Sequence, residues 1–220
     1  MITVHHLNNS RSQRVLWLLE ELEVPYQIKR YQREASMLAP PELKKVHPLG
    51  KSPVITDGNR VIAESGAILE YLETHYDAEN KLKLSDEDEV IQSRYWLHYA
   101  EGSLMPLLVM KLIFSRMGQA PVPWLARPIG GAFGKGVQKS YLNPQIATHR
   151  QFIEQHLATH EWFAGRHFSI ADVQMSFPLQ ALTARGGAAD SPAIQAWLQK
   201  VQQRAAWQRA LQQGGEMTLS

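Results

Sequence analysis

The chain has 220 residues, 44% of them apolar, with 23 Lys and Arg against 21 Asp and Glu for a net charge of +2. That is enough for one large domain or two small ones, and it excludes a disordered chain and a strongly basic nucleic-acid binder. There are no cysteines, which removes disulfides, thiolate metal ligands and a cysteine nucleophile, and fits a reducing compartment.

Met1 to His6 offers no basic or apolar leader pattern. No apolar run approaches the ~18 residues needed to cross a membrane. The expectation is a cytoplasmic protein that engages neither membrane nor nucleic acid.

Ile2 to Leu7 is short and extended. Ser10 to Glu23 is helical, with Val15, Leu18, Leu19 and Leu22 on one face, Glu20, Glu21 and Glu23 turned away, and Pro25 as the stop. Ser10 and Gln13 have capping-box spacing at its start. Tyr26 to Tyr31 is strand-like, and a less regular helix is expected near Glu42 to Val46. Val54-Ile55 and Val61-Ile62 flank Asp57-Gly58-Asn59, a hairpin signal. Ser65 to His75 is helical again. A strand–helix–strand opening followed by a hairpin and a helix is the order of a thioredoxin-like α/β unit.

From Asp77 to Glu89 the chain is polar and aperiodic, a linker that merges into a helix. Everything after it is helical. The helix Val90 to Met117 is broken by the prolines of Gly118 to Pro128. A helix that starts loosely in the glycines 130–136 becomes regular over Gln145 to Leu157. Ser169 to Arg185, Ala193 to Gln203 and Ala205 to Gln213 follow, and the tail from Gly214 is expected to fray. Ser169 and Asp172 form a capping box, with Phe168 and Val173 at the staple positions. The expected division is a thioredoxin-like domain over 1–78 and an all-α domain over 86–220.

Two stretches have chemical potential. In Gly50 to Ile55, Pro53 opens a strand. It is either an ordinary trans edge residue, or a cis Ser52–Pro53 bond that turns the Ser52 N–H and C=O outward. An extended peptide could then add there like a short strand. In Ala63 to Ile68, Ser65 caps a helix, or the helix N-terminus and Ser65 hold a carboxylate while Glu64 meets an adjacent ammonium. An α-amino acid head group carries both charges on neighbouring atoms.

His47-Pro48-Leu49-Gly50-Lys51-Ser52-Pro53-Val54-Ile55 and Glu64-Ser65-Gly66-Ala67-Ile68-Leu69-Glu70-Tyr71-Leu72 resemble the two signature segments of the glutathione transferases. Ser10-Arg11, Arg14, Trp17-Leu18-Leu19 and the run Leu97 to Leu104 resemble a branch shared by fungi and bacteria. The resemblance runs the length of the chain. It implies reduced glutathione as co-substrate, no metal, a small hydrophobic electrophile, a homodimer and a detoxifying role. The γ-glutamyl carboxylate would sit on Ser65 and its ammonium near Glu64. The cysteinyl main chain would pair with Ser52 beside Pro53. The glycyl carboxylate would meet Lys51, with Lys44 or Lys45 as weaker candidates.

The chemistry implied needs a donor aimed at the glutathione sulfur. Lowering a thiol from about 8.5 to about 6.5 takes roughly 2.7 kcal/mol of preferential stabilisation. The family places Tyr, Ser or Cys just before the first helix. Here the catalytic candidates are Ser10 and Asn9, then Ser12, with Arg11 adding positive potential. For the electrophile, Tyr95, His98, Tyr99, Gly102 and Met105 mark a pocket face on the fourth helix, or else core and dimer interface.

Other motifs fail. Residues 130–136 lack the first glycine and the Ser/Thr of a phosphate loop. His156 and His160 share a helical face without the glutamate of a zinc protease, and read as two solvated histidines. Three functions remain: conjugation to an electrophile, glutathione-dependent peroxide reduction or isomerisation, and a non-catalytic binding module.

Overall fold

The computed structural model describes residues 1–34, 38–185, 187–188 and 190–218. Four strands form one sheet in the order β2-β1-β3-β4, from β1 (Ile2–Leu7), β2 (Tyr26–Tyr31), β3 (Val54–Asp57) and β4 (Arg60–Ala63). β1 runs parallel to β2 with Ile2 opposite Tyr26, and antiparallel to β3 with Ile2 opposite Asp57. The parallel pair needs a crossover, which α1 (Ser12–Glu21) supplies. β3 and β4 form the expected hairpin, pairing Asp57 with Arg60 around Gly58 at φ +56°. Residues Pro41–Lys45 make a 3₁₀ turn, and α2 (Ser65–Tyr76) leaves the sheet from β4. Together they form the mixed α/β first part of a thioredoxin-like fold.

The second part is helical: α3 (Glu87–Tyr99), α4 (Met105–Ser115), α5 (Arg127–Val137), α6 (Asn143–Thr159), α7 (Ile170–Ala184), α8 (Pro192–Gln202) and α9 (Ala205–Gly214). The capping box at α7 forms: the Ser169 hydroxyl accepts from Ala171 N and the Asp172 carboxylate from Ser169 N. Asp172 also accepts from Phe163 N and Trp197 Nε1, so it ties three segments together.

Four expectations are corrected. α1 begins at Ser12, with Arg11 at the cap position, and the Gln13 amide does not reach back to Ser10. It donates instead to Ala210 O on α9, because the first two turns of α1 are wedged between sheet and helices and their polar groups must find distant partners. The fourth helix is interrupted at Ala100–Leu104 by a π turn. The glycine stretch 130–136 lies within a regular helix; Gly130 and Gly134 pack against the carbonyls of Met117 and Phe114, where a Cβ would not fit. The tail is anchored as far as Thr218, since Gly214 O accepts from His6 Nε2 and Thr218 N donates to Asn9 Oδ1.

Candidate functional site

The amino end of α1, the turn before β3 and the amino end of α2 open on one side of the molecule. Lys51, Ser52, Pro53, Glu64 and Ser65 line a cleft of about 220 Å³ there. The Ser52–Pro53 bond is cis. Ser65 is buried at the first position of α2, with Glu64 at the cap in a left-handed conformation (φ +73°). A residue with a Cβ holds that conformation only when its surroundings impose it, at a cost of order 1–3 kcal/mol, and such residues cluster at functional sites. The amino end of α2 carries positive potential and N–H groups suited to a carboxylate. Lys51 is exposed at the mouth.

The cleft also contains His47 and Leu49 from the loop before Gly50, and Glu101 from the π turn. Sequence reasoning missed these three. A tight turn at Gly50 (φ +57°), packed against the Lys44 side chain, and a π turn are tertiary features with little local signal.

Arg11 lines this cleft and also a second cavity of about 330 Å³, so the two meet at its side chain. Its Nε donates to both Glu101 oxygens, and fully buried Arg14 bonds the same carboxylate and the Gln174 side chain. Burial by itself would raise the Glu101 carboxyl; the charges of Arg14 and Arg11 outweigh it and hold the carboxyl below its usual range. Burial brings Arg14 down to about 10, against the pull of Glu101, so it stays charged at neutral pH.

The three hydroxyl and amide candidates separate. Ser12 is fully buried beneath α1, its hydroxyl 2.8 Å from His6 Nδ1. Because Gly214 O can only accept, His6 carries its proton on Nε2, and Ser12 therefore donates to Nδ1. Burial first, and then the nearby Arg30, lower the His6 pKa despite the bond to Gly214, consistent with a neutral ring. Ser12 is thus committed to holding β1 against α1. The buried Ser10 hydroxyl lies 2.8 Å from that of Ser12 and 3.4 Å from that of Ser52, and of the three only Ser52 lines the cleft. Ser52 Oγ spends its own proton on His5 O. Of the Ser10, Ser12 and Ser52 hydroxyls, that of Ser10 has the proton still free to redirect. Asn9, at φ +50°, lines the second cavity instead.

Of the five residues expected to mark the electrophile pocket, Met105 alone lines the second cavity. Tyr99 bonds His149, and Tyr95 packs on Tyr99 and Phe152 across α3 and α6. The π turn inserts a residue between the two halves of the helix and rotates one face against the other by about 100°. His156 is half-buried, bonded to Phe163 O and stacked on His160 at 4.3 Å, so the pair is not simply solvated. Among the described residues, no three His, Asp or Glu side chains converge as a metal site would require. No helix among them is long and apolar enough to cross a membrane.

Residues 1–74 match the family model for the glutathione S-transferase N-terminal domain, and residues 105–205 the one for the glutathione S-transferase C-terminal domain. The chain belongs to the glutathione S-transferase family. Glutathione S-transferase 1 of Saccharomyces cerevisiae is 37% identical over 214 residues, spanning 91% of this chain and 90% of the yeast protein. Glutathione S-transferase 3 of Schizosaccharomyces pombe is 38% identical over 222 residues, 100% of this chain and 90% of that one. A glutathione S-transferase crystal structure from Actinobacillus pleuropneumoniae superposes with a TM-score of 0.81 at 32% identity, covering 100% of this chain and 95% of its own. The transferase is therefore an enzyme acting on glutathione, with the α/β part and the helical part in the order that the sequence implied.

Proposed function

We propose that the 220 Å³ cleft binds reduced glutathione, that its sulfur lies over the amino end of α1, and that the electrophile enters from the 330 Å³ cavity. The observation that carries this reading is the meeting of the two cavities at Arg11, next to a Ser10 hydroxyl 3.4 Å from Ser52. Ser65 and the amino end of α2 take the γ-glutamyl carboxylate, Glu64 the ammonium, Ser52 beside Pro53 the cysteinyl main chain, and Lys51 the glycyl carboxylate. Ser10 turns its proton from Ser12 to the thiolate, since a hydrogen bond to a charged acceptor is stronger than one to a neutral hydroxyl. Arg11 and the α1 dipole add positive potential. The thiol proton leaves to water. The sulfur lone pair then forms the new bond to carbon as the leaving group departs with its bonding pair. Asn9 faces the electrophile.

A solved sphingomonad glutathione S-transferase of the same fold (TM-score 0.74, 19% identity) is described as complexed with glutathione, which supports the ligand. A division at residues 78 and 86, a cytoplasmic detoxifying role and a two-fold homodimer belong to the same reading. Exposed Ile91, Tyr95 and Phe152 on α3 and α6 support the dimer, which light scattering would test. Isothermal titration with glutathione tests the site itself. Saturable heat below ~10 mM and a bound thiol titrating well under 8.5 are expected. Absence of both would refute the reading.

A further inference from the structure

The second cavity is more cationic than a hydrophobic electrophile needs. Arg11, Arg33, Arg116 and Arg185 all line it, and among the described residues that line it there is no Asp or Glu. The Glu101 carboxylate nearby is already shared between Arg11 and Arg14. Arg33 donates to the carbonyls of Asn8 and Asn9 among its contacts. Arg185 donates from Nη1 to Leu108 O, and its Nε is shut off from solvent with no hydrogen-bond partner among the described residues. An unpartnered donor of a guanidinium, shielded from water, is costly unless something accepts from it. Burial, and then the charges of Arg116 and Arg11, lower the Arg185 pKa; burial and then Arg11 do the same at Arg33. These guanidiniums therefore repel one another in a partly dry space. Opposite them, Met105, Val109 and Phe177 supply an apolar wall.

Resting on the assignment of the neighbouring cleft to glutathione, we infer that this cavity selects an electrophile with a small apolar body and an anionic group, a carboxylate in particular. The body lies on Met105, Val109 and Phe177, and the carboxylate faces Arg116 and Arg185. A planar guanidinium fork matches a carboxylate in geometry as well as charge. The acceptor electrophile is thus an aryl or unsaturated acid rather than a neutral halide.

The test compares two conjugates that share the glutathione half, S-(4-carboxybenzyl)glutathione and S-(4-carbamoylbenzyl)glutathione, by isothermal titration at neutral pH. The carboxylate conjugate is expected to bind at least tenfold more tightly, and the preference should shrink with added salt. In Arg185→Gln and Arg116→Gln the ratio between the two should fall below twofold. Equal binding of the two by the unmodified protein, or a ratio unchanged in both variants, overturns the inference while leaving the glutathione site intact. Failure of both conjugates to bind overturns this inference and the glutathione site together. Should a variant not fold, the ratio and its salt dependence in the unmodified protein decide alone.

Discussion

Arg11 Nε donates to both oxygens of Glu101 at 3.0 Å, and Arg14 draws on that carboxylate from the buried side. One anion therefore balances two cations and joins the start of α1 to the π turn between α3 and α4. Removing it in Glu101→Gln leaves Arg14 buried without a counter-charge. The expected loss is about 2–3 kcal/mol, less than the ~3–5 kcal/mol of a fully buried broken pair because Glu101 is partly exposed. Urea unfolding should show a lower midpoint with an unchanged slope. The Glu101 pKa is depressed in the fold, so its stabilisation is present above the ordinary carboxylate range and is lost as pH falls through the lowered value.

Ser10 and Ser12 lie two residues apart and should fail differently. Ser10→Ala is expected to raise the pKa of bound glutathione toward 8.5 and to cut kcat/KM at pH 6.5 by about 30-fold, the equivalent of ~2 kcal/mol. Ser12 N loses its acceptor as well, so stability should fall by about 1 kcal/mol, while much of the rate should return at pH 9. Ser12→Ala orphans His6 Nδ1 and Leu7 N in the interior. It should cost about 1–3 kcal/mol of stability. Absorbance titration of the bound thiol and thermal melts separate the two.

Ser65→Ala removes the hydroxyl at the amino end of α2 without disturbing the core. Glutathione affinity should fall about 10–30-fold, as a hydrogen bond to a charged group is worth ~1.5–2 kcal/mol. The rate at saturating glutathione should hold. A drop in that rate with unchanged affinity would contradict the placement of the γ-glutamyl carboxylate.

Glu73 on α2 is pushed up to about 7, by burial first and then by Asp77 and Glu70. Its folded pKa exceeds the unfolded one. The stability it contributes is therefore complete below about 4.5 and is lost as pH rises through about 7. Glu73→Gln should gain about 1 kcal/mol at pH 8, after allowance for solvent screening, and nothing at pH 4. Denaturation at the two pH values measures the difference.

Asp172→Ala leaves Phe163 N, Ser169 N and Trp197 Nε1 without their acceptor. The loss should be about 3 kcal/mol, or roughly 6–12 °C in Tm for a chain of this size. Glutathione binding at temperatures where the variant is folded should be unaffected.

Local signals carried far in this chain. The hairpin at Gly58, the capping box at Ser169 and Asp172, and the pairing of Glu64 with Ser65 at a strand-to-helix junction each depend on residues a few positions apart. Hydrogen-bond geometry and backbone preference act over that range, so the residues themselves specify them. The first half could thus be read as an α/β unit with a cleft beside Ser52 and Ser65, and the second as a run of helices.

What the sequence did not contain depends on distant partners. Nothing near Gln13 announces that its amide will serve Ala210, nor does anything near Asn9 announce the tail at Thr218. The π turn at Ala100–Leu104 moved Tyr95 and Tyr99 out of the pocket face and brought Glu101 in. The convergence of Arg11, Arg33, Arg116 and Arg185 on one cavity draws on four segments of the chain. Short-range pattern decided which elements form and where the cleft beside Ser52 and Ser65 opens. Packing of the helical half against α1 decided which charges face the second cavity, because that choice is made by burial and long-range pairing.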